Sequence, residues 1–549
     1  MSYYTKREVT PVTDPPAWEN PDNTVRNLLI GSELVSISSV APIDGETATP
    51  RYNTPDTEPQ LTDGVISDVY DFNDPRWFRF TRGTGRAVVF RLGGLSAVSG
   101  FRIGFLKQDS AAVRLPRGVD ICCSENGTDW QRVYKCRDIY SDEYEARVCV
   151  GREFGFSCRA LYVMVEFDVI QHVWVDEIEI LGTTAVPDTA RKVEGECLDK
   201  DELMRIVNAY PKFDDLCGIH NLLLAYNCIP RDKRTGDGRG EITYEEFLPH
   251  LAYYDKLGVM RDTFFDGFLF LPYSVFTYSK YYKCAEGWHD YIDNLFVPDR
   301  NVDALNRAAA TVGSALSLRD YKVNVCFSVL HTKVRYGDHP DKFGDLDGDG
   351  ADEDMESFEG RKKAIKWCID ETLSRFEAGN YENLTCGALY WFEEDVAYGD
   401  KLELPLIQWT ADYLHSLGKK LFWIPYYQAS GYGEWKDVGF DVACMQPNFA
   451  FRDGIPVQRL YDNADITKRL GMCYELEIGG SDPVNVERYM KYLDCGAETG
   501  FMHTIKMYYQ GGVPGEFHKA FVSSDPELRK VYDSTYLFAK EKYVSRNTK

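Results

Sequence analysis

Between about residues 27 and 182 the chain repeats short β-branched and aromatic runs separated by glycine and polar turns. Examples are Ala87-Val88-Val89-Phe90, Phe101-Arg102-Ile103-Gly104-Phe105 and Leu161-Tyr162-Val163-Met164-Val165. Regular spacing of this kind predicts an antiparallel β-sandwich. Over 183–215 the apolar strands give way to charge, as in Arg191-Lys192-Val193-Glu194-Gly195-Glu196, and the stretch reads as a linker. From 216 to 545 the rhythm becomes strand, loop, helix. Strands are expected at 218–227, 264–271, 322–330, 387–394, 420–427, 442–446, 472–477 and 502–508. Amphipathic helices are expected at 244–256, 302–317, 361–376, 405–417 and 484–495. Eight such units over roughly 330 residues predict a (β/α)8 TIM barrel. A doubly wound open sheet is the alternative, but no glycine-rich phosphate loop follows the first strand.

Composition narrows this picture. At 549 residues the chain exceeds one hydrophobic core, so more than one domain is expected. Hydrophobic residues make up 44% and charged residues 27%, and no window holds the roughly 18 uninterrupted apolar residues of a membrane helix, so no membrane partner is expected. The first thirty residues are polar, carry Pro11, Pro15, Pro16 and Pro21, and lack the apolar segment of a secretory signal, which predicts a cytoplasmic protein. The fifteen cysteines are scattered singly except for Cys122 and Cys123, so they read as reduced core residues. A formal charge of -24 argues against nucleic acid and favours a neutral substrate.

Chemistry in a TIM barrel sits at the C-terminal ends of its strands. Here the fourth expected strand ends Tyr390-Trp391-Phe392-Glu393-Glu394-Asp395 and the seventh ends Cys473-Tyr474-Glu475-Leu476-Glu477. Strands four and seven lie roughly across the mouth, so a carboxylate from each can flank a glycosidic bond, one as acid and one as nucleophile or base. Glu475 and Glu477 share a parity, whereas Glu393 and Glu394 do not, so only one of the latter points straight in. Trp391, Trp423, Tyr426 and Tyr427 are candidates to stack on sugar faces, and Gln446 and Asn448 to bond vicinal hydroxyls. Tyr226, Asn227, His331, Lys506 and Tyr508 are expected at other strand ends. Separately, 345–356 fits the EF-hand spacing, with Asp345, Asp347 and Asp349 at positions 1, 3 and 5, Gly350 at 6 and Glu356 at 12, which predicts a structural calcium.

Three resemblances add to these readings. The segments Leu61-Thr62-Asp63-Gly64, Val88 to Gly93, Leu115-Pro116-Arg117-Gly118-Val119, Ser124 to Trp130 and Asp176 to Ile180 resemble, in that order, the discoidin or galactose-binding-like jelly roll. The resemblance implies a structural calcium at Asp63 and Glu177, and sugar binding by exposed loop aromatics, for which Trp77, Phe78 and Trp174 are the candidates. Over 216–545, the segments Tyr390 to Glu394, Phe422-Trp423-Ile424-Pro425-Tyr426-Tyr427, Gly439-Phe440-Asp441, Gln446-Pro447-Asn448-Phe449, Glu475-Leu476-Glu477 and Tyr508-Tyr509-Gln510-Gly511 resemble a bacterial glycosidase-like barrel family, domain of unknown function 4855. That resemblance implies a carbohydrate substrate and selects Glu394, three residues after Trp391. The placement of the two glutamates also resembles that of the large clan of retaining glycosidases. The expectation is therefore a retaining glycoside hydrolase, with Glu394 as acid and Glu477, or else Glu475, as nucleophile. Its alternative is a non-catalytic glycan-binding protein built from a sugar-binding sandwich and a degenerate barrel.

Overall fold

The computed structural model describes residues 12–39, 61–80, 86–137, 139–169, 172–194, 207–227, 241–272, 284–332, 343–427, 429–512 and 514–548. The chain divides into two compact units, Met1–Val207 and Asn208–Lys549.

The first unit is an antiparallel sandwich of β1 (Arg26–Asn27), β2 (Glu33–Ser39), β3 (Phe78–Phe80), β4 (Arg86–Gln108), β5 (Val119–Ser124), β6 (Gln131–Cys136), β7 (Glu145–Phe167) and β8 (Val173–Thr183). Two 23-residue strands make both layers. Residues 86–91 of β4 pair with β2 and with 162–167 of β7, which continues into β5 and β6. Register shifts after Arg91 and Val98 turn β4 into the other layer, where it pairs with the first part of β7 and with β8. Val88, Phe90, Phe101, Ile103, Val163, Val165, Ile178 and Ile180 fill the space between the layers. Trp77, Phe78 and Trp174, expected as exposed sugar platforms, are instead buried. Phe78 belongs to the main core, and the two tryptophans pack with Leu106 and Val113.

The second unit opens with β9 (Asn221–Asn227), a hairpin of β10 (Ala252–Tyr254) and β11 (Met260–Thr263), and β12 (Gly267–Pro272). It continues through β13 (Val323–Val329), β14 (Leu384–Thr385), β15 (Ala388–Trp391), β16 (Lys420–Trp423), β17 (Val442–Met445), β18 (Cys473–Glu477) and β19 (Lys506–Tyr509). Eight parallel strands close as β9-β12-β13-β15-β16-β17-β18-β19, with β19 pairing back onto β9. These strands read as near-continuous apolar runs because both of their faces are covered, by the barrel interior and by helices. Alternation assigns the faces: Leu222, Leu224, Leu269, Tyr390, Phe422, Ile424, Cys444, Cys473 and Met507 form the interior cluster. All five expected helices are present, with ends moved by a few residues. The hairpin and the helices Ala285–Leu295, Gln458–Leu470 and Pro526–Ala539 were not anticipated.

The stretch expected as a linker belongs to the two units at its ends. Arg191 bonds to the sandwich through Ser157 and Arg159, while Phe213–Leu216 forms a 3-10 turn that plugs the barrel floor with Leu216 fully buried. A side chain at Gly387 would meet Cys217 Sγ at 2.6 Å, so the close fit of the plug requires glycine there.

Candidate active site

The mouth of the barrel gathers Tyr226, Tyr390, Phe392, Glu394, Tyr426, Gln446, Glu475, Glu477 and Tyr509, all on the inward parity of their strands or just beyond them. β18 supplies two carboxyls. Its register with β19 sets Glu475 opposite Met507 and Glu477 opposite Tyr509, both interior residues, so Glu475 and Glu477 also point inward, each 1% exposed. Glu394 follows β15 on the inward parity and is exposed, and its charge is felt by Tyr226, Tyr390, Glu475 and Glu477, so the three carboxyls are electrostatically coupled at the mouth.

The two buried glutamates differ in what they touch. Glu477 Oε2 accepts from the Tyr492 hydroxyl and, at 3.3 Å, from the Phe449 amide, which also donates to the Tyr492 oxygen at 3.2 Å. Because the phenol accepts from the amide, its own proton is directed at Glu477. Tyr492 is held by the helix Pro483–Thr499, which begins where Asp482 accepts from the amides of Val484 and Asn485, with proline in the first turn, and ends at Gly500 with φ 88°. Asn448, at φ 53°, turns the chain so that the following amide faces Glu477, a conformation asparagine tolerates. Glu477 Oε1 and Glu475 Oε2 are buried and have no hydrogen-bond partner. Burial pushes the Glu477 carboxyl up to about 7 against the pull of the Tyr492 and Phe449 donors. Glu475 is pushed well above the ordinary range, by burial first and then by the charges of Glu477 and Glu394.

Several expected sugar contacts lie elsewhere. Trp391, Trp423, Tyr427 and Tyr508 occupy the outward parity and are enclosed between strands and helices. Trp423 stacks on Phe440 at 4.9 Å and donates to the Glu393 carbonyl at 2.7 Å. Tyr427 lies under Arg459, and Tyr508 donates to Asn221 at 3.0 Å. Lys506 begins β19 rather than ending it and is spent on the carbonyls of Met502 and Thr504. Asn227 is buried and bonds Asn294, and His331 pairs with Glu403 at 2.9 Å. Tyr226 and Tyr426 stay at the mouth, half-buried, as does Gln446, whose amide donates to the Ile424 carbonyl at 3.0 Å. Tyr390, Phe392, Tyr509 and above all Tyr492 were missed. The first three sit at strand positions whose inward parity was readable from Glu475 and Glu477 by neighbouring register, but Tyr492 lies on a helix among core-like residues and carried no signal.

The acidic loop departs from the EF-hand arrangement. Asp345, Asp347 and Glu353 bring carboxylate oxygens within 4.8 Å of one another. Glu356 is exposed and does not join them, because the exit helix, Phe358–Ala378, begins two residues after it instead of carrying it back to the loop. Asp345 accepts from the amides of Gly348, Asp349 and Gly350, which fixes the turn. Lys363 Nζ stands 2.9 Å from Asp349, 3.0 Å from Asp347 and 3.1 Å from Glu353 Oε1, the last contact being an ion pair without hydrogen-bond alignment. In the sandwich, Glu177 is 3% exposed, accepts from the Gly64 amide at 3.0 Å through Oε2 and leaves buried Oε1 without a partner. Its carboxyl is pushed up to about 7 by burial first and also by the nearby Asp63. That donor set suits a hard cation.

A closed parallel barrel with a carboxyl cluster at the C-terminal end of its strands defines the class of the second unit. The chain belongs to the family described as "Domain of unknown function (DUF4855)", which matches residues 221–537, more than half of the chain. No curated protein matches it. Solved structures similar to the chain include CpGH89CBM32-6 of Clostridium perfringens, at 16% identity over 29% of this chain and 99% of that one, TM-score 0.18. A family 32 carbohydrate-binding module from Streptococcus pneumoniae EndoD is similar at 9% identity over 28% of this chain and 98% of that one, TM-score 0.19. CpGH89CBM32-5 of C. perfringens, solved with GalNAc-beta-1,3-galactose, is similar at 13% identity over 23% of this chain and 89% of that one, TM-score 0.17.

Proposed function

We propose that the barrel is a glycoside hydrolase of the two-carboxylate, retaining type acting on a poly- or oligosaccharide. The observation that carries this reading is Glu477, a buried carboxyl with donors fixed on Oε2 and Oε1 left without a partner, in one cluster with Glu394 from across the barrel. The Tyr492 and Phe449 donors favour the ionised form, which suits Glu477 as the nucleophile. Its Oε1 bonds to the anomeric carbon as Glu394 passes a proton to the departing glycosidic oxygen. Glu394 then takes a proton from a water molecule whose oxygen displaces Glu477, restoring both groups. Tyr226, Tyr426 and Tyr509 offer ring faces and hydroxyls to the sugar.

The test is product release from a panel of oligosaccharides and aryl glycosides by the wild type, Glu394→Gln and Glu477→Gln. Cleavage abolished by both substitutions in folded protein supports the reading. Sugar binding by calorimetry with no cleavage by any form replaces it with a glycan-binding protein.

The same proposal gives the sandwich a structural calcium, held by Asp63 and Glu177, and the barrel a second at Asp345, Asp347 and Glu353 with Lys363 displaced. Calcium would supply a hard positive charge to oxygen ligands and no catalytic step. Melting in calcium and in chelator checks it: a calcium-dependent rise lost in Glu177→Gln assigns the first site, and no dependence at all sinks both.

A further inference from the structure

A two-carboxylate hydrolysis leaves Glu475 with no step to perform, yet it is as fully enclosed as Glu477. It lies two residues before Glu477 on the same face of β18, hence about 7 Å nearer the floor. Below it the interior is closed by Cys473, Cys444 and Met507. Tyr226 and Tyr390 stand close enough for its charge to act on both phenols. Its Oε2 is buried without a partner, an arrangement that costs free energy unless a ligand supplies the missing bond.

We infer that Glu475 is a recognition residue, which receives an unsubstituted hydroxyl of the sugar ring seated deepest in the mouth, so that the site takes neutral glycans from their chain ends; this rests on the glycosidase reading of the mouth. A neutral carboxyl presents one O–H donor and a carbonyl acceptor, and a sugar hydroxyl presents the complementary pair. Burial and the neighbouring carboxyls hold Glu475 in that neutral form. With Cys473, Cys444 and Met507 closing the interior below Glu475, a hydroxyl bonded there faces the floor and is one that carries no further sugar, which makes the bound ring a terminal one. An ionised Glu475 would instead take an amino sugar, and that is the competing outcome.

The experiment is calorimetry of the full-length protein with free neutral monosaccharides, their monodeoxy analogues and the corresponding amino sugars. It compares the wild type with Glu475→Gln, Glu475→Leu and Glu475→Asp, alongside aryl-glycoside turnover. Glu475→Gln keeps a donor and an acceptor and is expected to hold affinity within about threefold. Glu475→Leu, or Glu475→Asp where the leucine variant does not fold, is expected to weaken binding by about tenfold or more. One deoxy sugar should show the same loss on the wild type and none beyond it on the weakened variant. This pattern without cleavage of any glycoside sinks the hydrolase and leaves the recognition role standing. Turnover lost in Glu475→Gln as fully as in Glu477→Gln, with affinity unchanged, overturns the inference and makes Glu475 the nucleophile. It is equally overturned by tighter binding of an amino sugar than of its neutral counterpart, by affinity for oligosaccharides but no monosaccharide, or by no binding at all.

Discussion

The barrel carries two carboxylate clusters that share a chemistry and differ in almost everything around it. In the loop at Asp345 the acids are mostly exposed and the Lys363 ammonium stands among Asp347, Asp349 and Glu353. That contact, with the Ala351 amide, holds Asp349 below the usual carboxylate range. In the mouth, Glu475 and Glu477 are buried and both are pushed upward. Asp345 and Asp349 are met by backbone amides and Lys363 and fix a turn before a helix, while Glu353 Oε1 has only its ion pair with Lys363. Glu475 and Glu477 each keep an oxygen without a protein hydrogen bond, at a cost in stability that an incoming group would relieve. Counting acidic residues therefore says little; how deeply each carboxyl is buried and which groups meet its oxygens is what distinguishes the two clusters.

The comparison breaks most directly at Glu477. Glu477→Gln should lower glycoside turnover by about 1,000-fold or more while the fold persists by circular dichroism, and a variant retaining a tenth of the activity would place the nucleophile elsewhere. Tyr492→Phe removes one donor without emptying the space. Turnover should fall on the order of tenfold, and the rise of kcat/KM with pH, set by Glu477 near 7, should move to higher pH. A merely structural tyrosine would lower activity without moving that profile.

Stability sharpens the contrast. Glu475 has a folded value above the roughly 4.3 of an unfolded glutamate. Above that value the folded state binds more protons than the unfolded one, so the contribution of Glu475 is full at lower pH and is lost as pH rises through the folded value. Glu475→Gln should thus leave melting near pH 4 unchanged and raise it by a few degrees at pH 8, measured by calorimetric scans. The smallest effect is expected at Lys363→Met, where partly exposed pairs contribute little: melting should shift by about a degree, and less in high salt.

Much of the architecture was legible because a parallel strand buried on both faces has no alternative reading as a surface element. The eight apolar runs ending at Asn227, Pro272, Val329, Trp391, Trp423, Met445, Glu477 and Tyr509 close the barrel in chain order. Parity also put Glu475 and Glu477 on one face. The same parity turns Trp391, Trp423, Tyr427 and Tyr508 outward, where residue type alone suggests sugar contacts. In the sandwich, the resemblance offers Trp77 and Trp174 as loop platforms, but both follow the commoner fate of large aromatics and are buried. Glu356 lies away from the carboxylate group because motif spacing fixes which residue is twelfth in a loop and not where the following helix starts.

One of the donors that hold Glu477 is a main-chain amide, at Phe449. Every amino acid except proline carries the same N–H, so this part of the carboxyl's environment survives almost any substitution at position 449. Descendants of this chain could exchange the side chain there for another that packs on Tyr492 and keep the amide, whereas position 492 has a phenol to lose. An alignment of relatives would then report half of the apparatus around Glu477 and pass over the other half, because what position 449 conserves is an N–H and not a side-chain chemistry.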